Sequence, residues 1–300
     1  MTTIGFLACE TTLPLPWGGI GDRRGDAFEH DLMTAALEPA FAQANLTLKV
    51  IDWEAPLDHF AGLDLIILGT AWNYQDKPDA FLAKIGELEA RGIPVCNSAE
   101  VVRWNINKTY LRELAKRGAA TIPTRWFSNV SQADLIDAFA AFDCDRLVVK
   151  LQVGAGALGQ VLIHSEALPG ADWRFGHAAM VQPFLPAIAE EGEFSFIFIG
   201  GELSHALRKR PAKGDYRIQS LYGGIESAYD PTTEELAAAS AIIAAFPFAA
   251  PLYARIDMLR GSSNSLMVME AELIEPYLYP EQGPQLGDRL ACAILKRLEL

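Results

Sequence analysis

The stretch Tyr253–Pro276, YARIDMLRGSSNSLMVMEAELIEP, decides how the rest of the chain reads. Its two apolar runs, LYARIDML (with Leu252) and SLMVMEAEL, have strand length. Side chains two apart on a strand share a face, so Glu270 and Glu272 project together while Ala271 faces away. Arg255 and Asp257 are paired in the same way on the other run. Two carboxylates on one face repel unless a cation lies between them. Asp257 on the neighbouring strand would complete an oxygen cage for Mg²⁺, which takes carboxylates together with phosphate oxygens. The alternative is an exposed acidic strand face, but LMVM before it and LIEPYLY after it read as buried. Glu275 is a reserve ligand, on the opposite face if the strand continues. Arg255 is placed to stabilise an oxyanion on an acceptor.

An acid cage of this kind calls for an anionic ligand. Upstream, RKRPAKGDYRIQ (208–219) gathers Arg208, Lys209, Arg210, Lys213 and Arg217 in a chain of 25 Lys and Arg against 38 Asp and Glu, with a formal charge of −13. Planar guanidinium groups suit phosphate oxygens, which points to Arg210 and Arg217 as grips on a transferred phosphoryl group. A mobile charged loop is the plainer reading, and such a loop can also act as a lid over a nucleotide. Further upstream, VGAGALG carries Gly154, Gly156 and Gly159, whose backbone N–H groups can approach a polyphosphate. Lys150 ends the strand RLVVK and Lys108 opens a helix. Each of these alone is equally a hairpin tip or a solvated lysine; together they can hold a triphosphate.

The composition is that of a globular protein, with half its residues apolar. The acidic balance argues against nucleic acid and anionic membrane as partners. No apolar run reaches the roughly eighteen residues of a membrane span. MTTIGFLACE has no basic leader and reads as a first buried strand. Cys9, Cys96, Cys144 and Cys292 lie far apart and read as reduced, buried cytoplasmic thiols. The five histidines are scattered, and only His205 stands beside the candidate site.

The first hundred residues alternate strand and helix: IGFLAC, DAFEHDLMTAALEPAFAQA, LKVIDW, LDLIILG, KPDAFLAKIGELEARG, IPVC. That rhythm implies a parallel α/β sheet covered on both faces. The long loop TTLPLPWGGIGDRRGD lies beyond the first strand's carboxyl end, where ligands sit in such sheets. Its Asp22, Arg23, Arg24 and Asp26 are candidate substrate contacts, with Trp72, Asn73 and Tyr74; GDRRGD is equally a surface turn with an N-cap at Asp26. A helix, NKTYLRELAKRG, follows. TRWF and RLVVK are strands around the helix SQADLIDAFAAF, and the glycine stretch joins RLVVK to QVLIH as a hairpin, which excludes a P-loop. After AAMVQPFLP come EFSFIFIGG, ELSHALRKR, LYARIDML and SLMVMEAEL, with the helix TTEELAAASAIIAAF between, a mostly antiparallel α+β part.

Taken in order, VVRWNINKTYLRELAKRG, LVVK, VGAGALG, MVQPFLP, EGEFSFIFIGGELSHALRKRPAKGDYRIQ and YARIDML…LMVMEAELIEP resemble the ATP-grasp ligases of the glutathione-synthetase and ribosomal S6 modification type. The resemblance is nearest to the cycloserine-forming cyclo-ligases, which share RWNxxKxYL, GExS, KRPxxGDxR and ELIEP. It implies an N-terminal α/β domain (1–100), a central lid subdomain with the Gly-rich loop (101–184) and a C-terminal subdomain (185–300), the last two holding ATP between their sheets. It implies Lys108, Lys150, Lys209, Gly154 and Gly156 at the phosphates, Gln182, Pro183 and Phe184 at adenine, and Glu193 on the ribose. Asp257, Glu270 and Glu272 would hold two Mg²⁺, with Mn²⁺ as a substitute. Arg210, Arg217 and Arg255 would serve the γ-phosphate and the acyl phosphate. Relatives usually have Asn at position 272, although the cycloserine-type sequences share ELIEP, and tend to have Pro where this chain has Leu151. They commonly read RSTWDY where this chain has GTAWNY, so an Arg is Gly69 and an Asp is Asn73.

The expected activity is ATP-dependent ligation of a small amino-acid-like carboxylate to a nitrogen nucleophile, within one molecule as in cycloserine formation or between two. The rival readings are a non-catalytic nucleotide-binding protein and a dinucleotide oxidoreductase. The oxidoreductase lacks a GxGxxG strand–helix turn. A cytoplasmic homodimer is the default expectation for assembly. Arg255→Met is expected to abolish turnover while leaving ATP affinity largely intact.

Overall fold

The computed structural model describes residues 2–14, 23–154, 159–212 and 223–299. β1 (Thr2–Ala8) leads through α1 (Ala27–Gln43) to β2 (Leu46–Asp52), and β3 (Leu65–Thr70) leads through α2 (Pro78–Ala90) to β4 (Val95–Cys96). The four strands form a parallel sheet of order β2-β1-β3-β4. All of β3 is buried, as its uninterrupted apolar run requires of a strand covered on both faces. Pro78 opens α2, where a missing N–H costs nothing.

After α3 (Ala99–Asn105) and α4 (Tyr110–Lys116) the chain builds a second sheet. β5 (Arg125–Phe127), α5 (Gln132–Phe142), β6 (Arg146–Leu151), β7 (Val161–His164) and β8 (Ala179–Pro183) follow, with the antiparallel order β5-β8-β6-β7. β6 and β7 pair as the expected hairpin across the glycine stretch. A capping box at Ser131 and Asp134 starts α5. Leu135 and Ala138 of α5 share a core with Leu147, Val149 and Val181.

α6 (Ala187–Glu190) precedes the third sheet, made from β9 (Glu193–Ile199), β10 (Glu202–Arg210), β11 (Ile225–Tyr229), β12 (Tyr253–Arg260) and β13 (Leu266–Glu272). Its order is β11-β10-β9-β12-β13, antiparallel throughout, with α7 (Thr233–Ala244) between β11 and β12 in the chain. Phe194, Phe196, Ile256 and Met258 form one apolar face, in a core with Ala239 and Ile242 of α7. The opposite face is divided. Ile197, Ile199, Leu207 and Tyr253 join a core with Ile4, Phe6, Leu37 and Phe41. Beyond them the same face turns polar, with Glu193, Ser195, Lys209, Arg255 and Asp257 all buried.

α8 (Leu286–Arg297) packs on α1 and adds Leu286, Leu290 and Ile294 to that shared core. The N-terminal sheet therefore shares one core with elements far down the chain. α3, α6, α8, β8 and β11 are absent from the sequence expectations. β11 is a half-exposed edge with Ile225 66% accessible, so it lacks a clean alternating pattern. Cys9 and Cys96 are buried as expected, whereas Cys144 is only partly covered and Cys292 is exposed on α8. Among the described residues no helix is long and apolar enough to cross a membrane.

Candidate active site

β13 is an outer strand, and its free edge is completed by a short backbone bridge from Ala120–Ile122 to Val268 and by side chains. The Asn105 amide donates to the Ala271 carbonyl (2.8 Å) and accepts from the Leu273 N–H (3.0 Å). The Tyr110 hydroxyl accepts from the Ala271 N–H at 2.9 Å. Asn97 donates to the Tyr253 and Leu273 carbonyls and accepts from the Leu252 N–H. Buried backbone groups must find partners, and these three residues supply them around Glu270 and Glu272. The RWNINKTYL motif thus has a structural task, holding the acidic strand in register.

Register places Asp257 opposite Glu270 and Arg255 opposite Glu272, with a bulge after Asp257. Arg255 donates to both oxygens of Asp257 (3.0 and 3.1 Å), to Glu272 and to the Tyr277 carbonyl. The Ser195 hydroxyl donates to Asp257 at 2.5 Å. Lys209 lies between Glu193 (2.5 Å) and Asp257 (3.4 Å). Lys108 pairs with Glu270 at 2.9 Å and donates to the Gly154 carbonyl, tying the glycine stretch to β13. Lys150 is next to these charges; burial lowers its pKa and Glu270 raises it.

Burial pushes Asp257 up, but Arg255 and then Lys209 outweigh it and hold its carboxyl below the ordinary range. Burial dominates at Glu272, raising it to about 7 against the pull of Arg255, and at Glu193, also to about 7 despite Lys209. Glu275 rises to about 8 through burial and the charge of Glu272. This face therefore carries carboxylates that its own cations do not fully neutralise.

Among the described residues no three Asp, Glu, His or Cys side chains converge as a metal-ligand set. The physical reason is local: Asp257 is 2% exposed and its oxygens are taken by Arg255, Ser195 and Lys209. Glu270 and Glu272 remain partly open, share a face and carry hard oxygen donors in acidic excess, so their donor chemistry fits Mg²⁺.

The other expected site residues lie as follows. Lys209, not Arg210, is the basic residue that β10 delivers to the acids, because alternation turns Arg210 to the opposite face, where it is exposed. Glu193, expected on the ribose, has no exposure and faces Lys209. Lys209, expected at the phosphates, is buried between two acids. Gln182 is buried and donates to Thr124 (2.9 Å); Pro183 ends β8; Phe184 stacks under Arg146 at 4.3 Å. Arg23 is engaged by Asp31 and the Thr12 carbonyl. Arg24 pairs with Asp26 and lies over Trp72. Asp26 stands at the N-cap of α1 but makes no side-chain cap bond. Asn73 accepts from Trp53 and donates to Glu54, whereas Tyr74 reaches Glu275. The strand ends at Glu272, so Glu275 lies in a loop. His205 is half-buried against the Leu278 carbonyl, and desolvation lowers its pKa to about 4. Asp22, Gly156, Lys213 and Arg217 lie outside the described residues.

Asn97, Asn105, Tyr110 and Ser195 are the residues the sequence reading missed. Their signal is weak, since a polar side chain inside an apolar motif declares no partner.

The chain is similar to known proteins along most of its length. The family described as "D-cycloserine synthetase DcsG, N-terminal domain" matches residues 4–97. The cycloserine biosynthesis protein DcsG of Streptomyces lavendulae is 28% identical over 275 residues, covering 85% of this chain and 90% of that protein. Glutathione synthetase of Parasynechococcus marenigrum (strain WH8102) is 25% identical over 253 residues, 79% of this chain and 75% of that protein. The crystal structure of D-cycloserine synthetase DcsG superposes with a TM-score of 0.80 at 22% identity, over 99% of both chains. Sequence and fold together make this chain a homologue of DcsG and of the ATP-grasp ligases, with the ATP-grasp fold.

Proposed function

We propose that this ATP-dependent carboxylate–amine ligase acts on a small amino-acid-like substrate. It converts a carboxylate to an acyl phosphate, and a nitrogen nucleophile then displaces phosphate. Ring closure within one molecule, as cycloserine formation needs, is the favoured form, and joining of two molecules is the other. The observation that carries the reading is the single sheet face on which Arg255, Asp257, Glu270 and Glu272 meet Lys108 and Lys150. Bound Mg²⁺ would neutralise charge on the nucleotide's phosphates. Glu270 and Glu272 would hold it, in a two-ion arrangement that Mn²⁺ can replace.

Lys108 and Lys150 bind phosphate oxygens, with the glycine stretch from Gly154 closing over them. Gln182, Pro183 and Phe184 line the adenine edge. Arg255 keeps Asp257 ionised, pairs with Glu272 and stabilises negative charge on the acceptor. Arg217 is kept as a phosphate grip. The protein's part is mainly positioning and charge stabilisation. Residues 1–100, 101–184 and 185–300 are proposed as the three functional units of a cytoplasmic homodimer.

The test is ADP and phosphate release from Mg·ATP with amino acids of both hands, with and without hydroxylamine as trapping amine. Carboxylate-dependent ADP formation and a hydroxamate product are expected. Tight ATP binding with no turnover across the panel would favour the non-catalytic nucleotide-binding alternative.

A further inference from the structure

α8 carries a second cluster of cations, and the ligation scheme gives it no role. Arg289, Cys292 and Lys296 recur at the spacing of one helix face, with Arg297 beside them. Together with Glu202 and Leu252 they line an open groove of about 360 Å³. That volume falls in the range of small-molecule sites, about 300–1,000 Å³. Its wall includes Ile199, the last residue of β9, about 20 Å along that strand from Glu193. The groove is therefore separate from the sheet face that carries the acids.

Helix electrostatics accounts for only part of this cluster. Lys296 and Arg297 end α8, where cations complement the helix dipole, but Arg289 stands near its start, where a cation opposes it. Neutral acceptors aim the two guanidinium groups. Arg289 donates to the Leu203 carbonyl (2.9 Å) and to the Gln285 side-chain oxygen (3.2 Å). Arg297 donates to the Ala250 carbonyl (3.3 Å) and to the Cys96 sulfur (3.7 Å). A guanidinium has more N–H donors than these bonds use. Among the described residues, Glu202 is the one carboxylate lining the groove, against three cations, in a chain of net charge −13. Arg289 and Lys296 stand two helix turns apart, about 10 Å, so a ligand that meets both carries negative charge on more than one group. We propose that this groove is a second binding site, for a small multivalent oxyanion bearing several phosphates or carboxylates. Binding there does not depend on the ligase reading.

The readout is local: the rate at which neutral iodoacetamide alkylates the exposed Cys292 of the full chain, followed by peptide mass spectrometry, with the partly covered Cys144 as internal control. The probes are tripolyphosphate and citrate, each compared with sodium chloride at equal ionic strength. At about 5 mM, at least one of them is expected to slow Cys292 about fivefold or more, as a site with a Kd of about 1 mM or below gives, and to leave Cys144 unchanged. A larger effect of tripolyphosphate marks a phosphorylated ligand, and of citrate a polycarboxylate. Lys296→Gln combined with Arg289→Gln, both on the exposed side of α8, should reduce the protection to under about twofold. Protection no larger than in chloride overturns the proposal, as does a Cys292 that fails to react in chloride alone, which would show the groove closed. Neither outcome needs a variant. Protection kept in the double variant overturns it as well. The ligase reading is judged separately, by carboxylate-dependent ADP formation.

Discussion

Arg255 changes character between sequence and structure. As a strand residue two before Asp257, it reads as an open catalytic group whose loss as Arg255→Met spares ATP binding. In the fold it is 8% exposed and is the counter-ion of Asp257 and Glu272. Removing one partner of a buried ion network leaves the other charges stranded, at about 3–5 kcal/mol. Arg255→Met is therefore expected to lower the melting temperature sharply, and to lose turnover and ATP affinity together at ordinary assay temperature. Calorimetry showing an unchanged melting temperature would return Arg255 to the purely catalytic role.

At the scale of elements, β1 and β3 approach too closely for the residue that relatives carry at position 69. Gly69 has φ +54°, and a Cβ there would come within 2.3 Å of the Leu7 carbonyl oxygen and 2.5 Å of the Phe6 ring. Backbone strain and overpacking add, so Gly69→Arg should cost at least about 2 kcal/mol. Soluble yield and urea midpoint measure it, and wild-type stability in that variant would contradict the packing described. The missing arginine is thus built into the strand pairing of this chain. Asn73, the companion change, is likewise committed to Trp53 and Glu54. The strands themselves were legible because buried strands are apolar and alternate. α8 was not, since its buried face makes sense only against α1.

For the whole molecule, the buried acids set the pH response. Glu193 and Glu275 have native values raised to about 7 and about 8 from 4.5. Between those limits the native state binds protons that the unfolded chain has released, so stability falls as pH rises through this window. Asp257 has the opposite sign: its contribution is present above its unfolded value near 3.8 and is lost as pH falls through its lower native value. The free protein should therefore melt higher near about pH 6 than near about pH 8.5, with a slope of at most about 1.4 kcal/mol per unit per group. Glu275→Gln should flatten that slope. A melting temperature that rises steadily across this range would show the acids to be solvated or paired. The charge excess also explains why a chain of net −13 gathers lysines and arginines here: Lys108, Lys150, Lys209 and Arg255 stand among its buried carboxylates.

Period-two and period-3.6 patterns, the ordered motifs and the pairing of Glu270 with Glu272 determined the sheet types, the ATP-grasp resemblance and the acidic strand. Those are properties of local geometry, which a sequence carries directly. Which cation answers which acid was decided only by tertiary structure. Strand register chose Lys209 over Arg210, the bulge and Ser195 turned Asp257 inward, and a turn some two hundred residues earlier came to rest on Glu275. Charge pairing depends on distances of a few ångströms between strands, and no spacing along one chain encodes them.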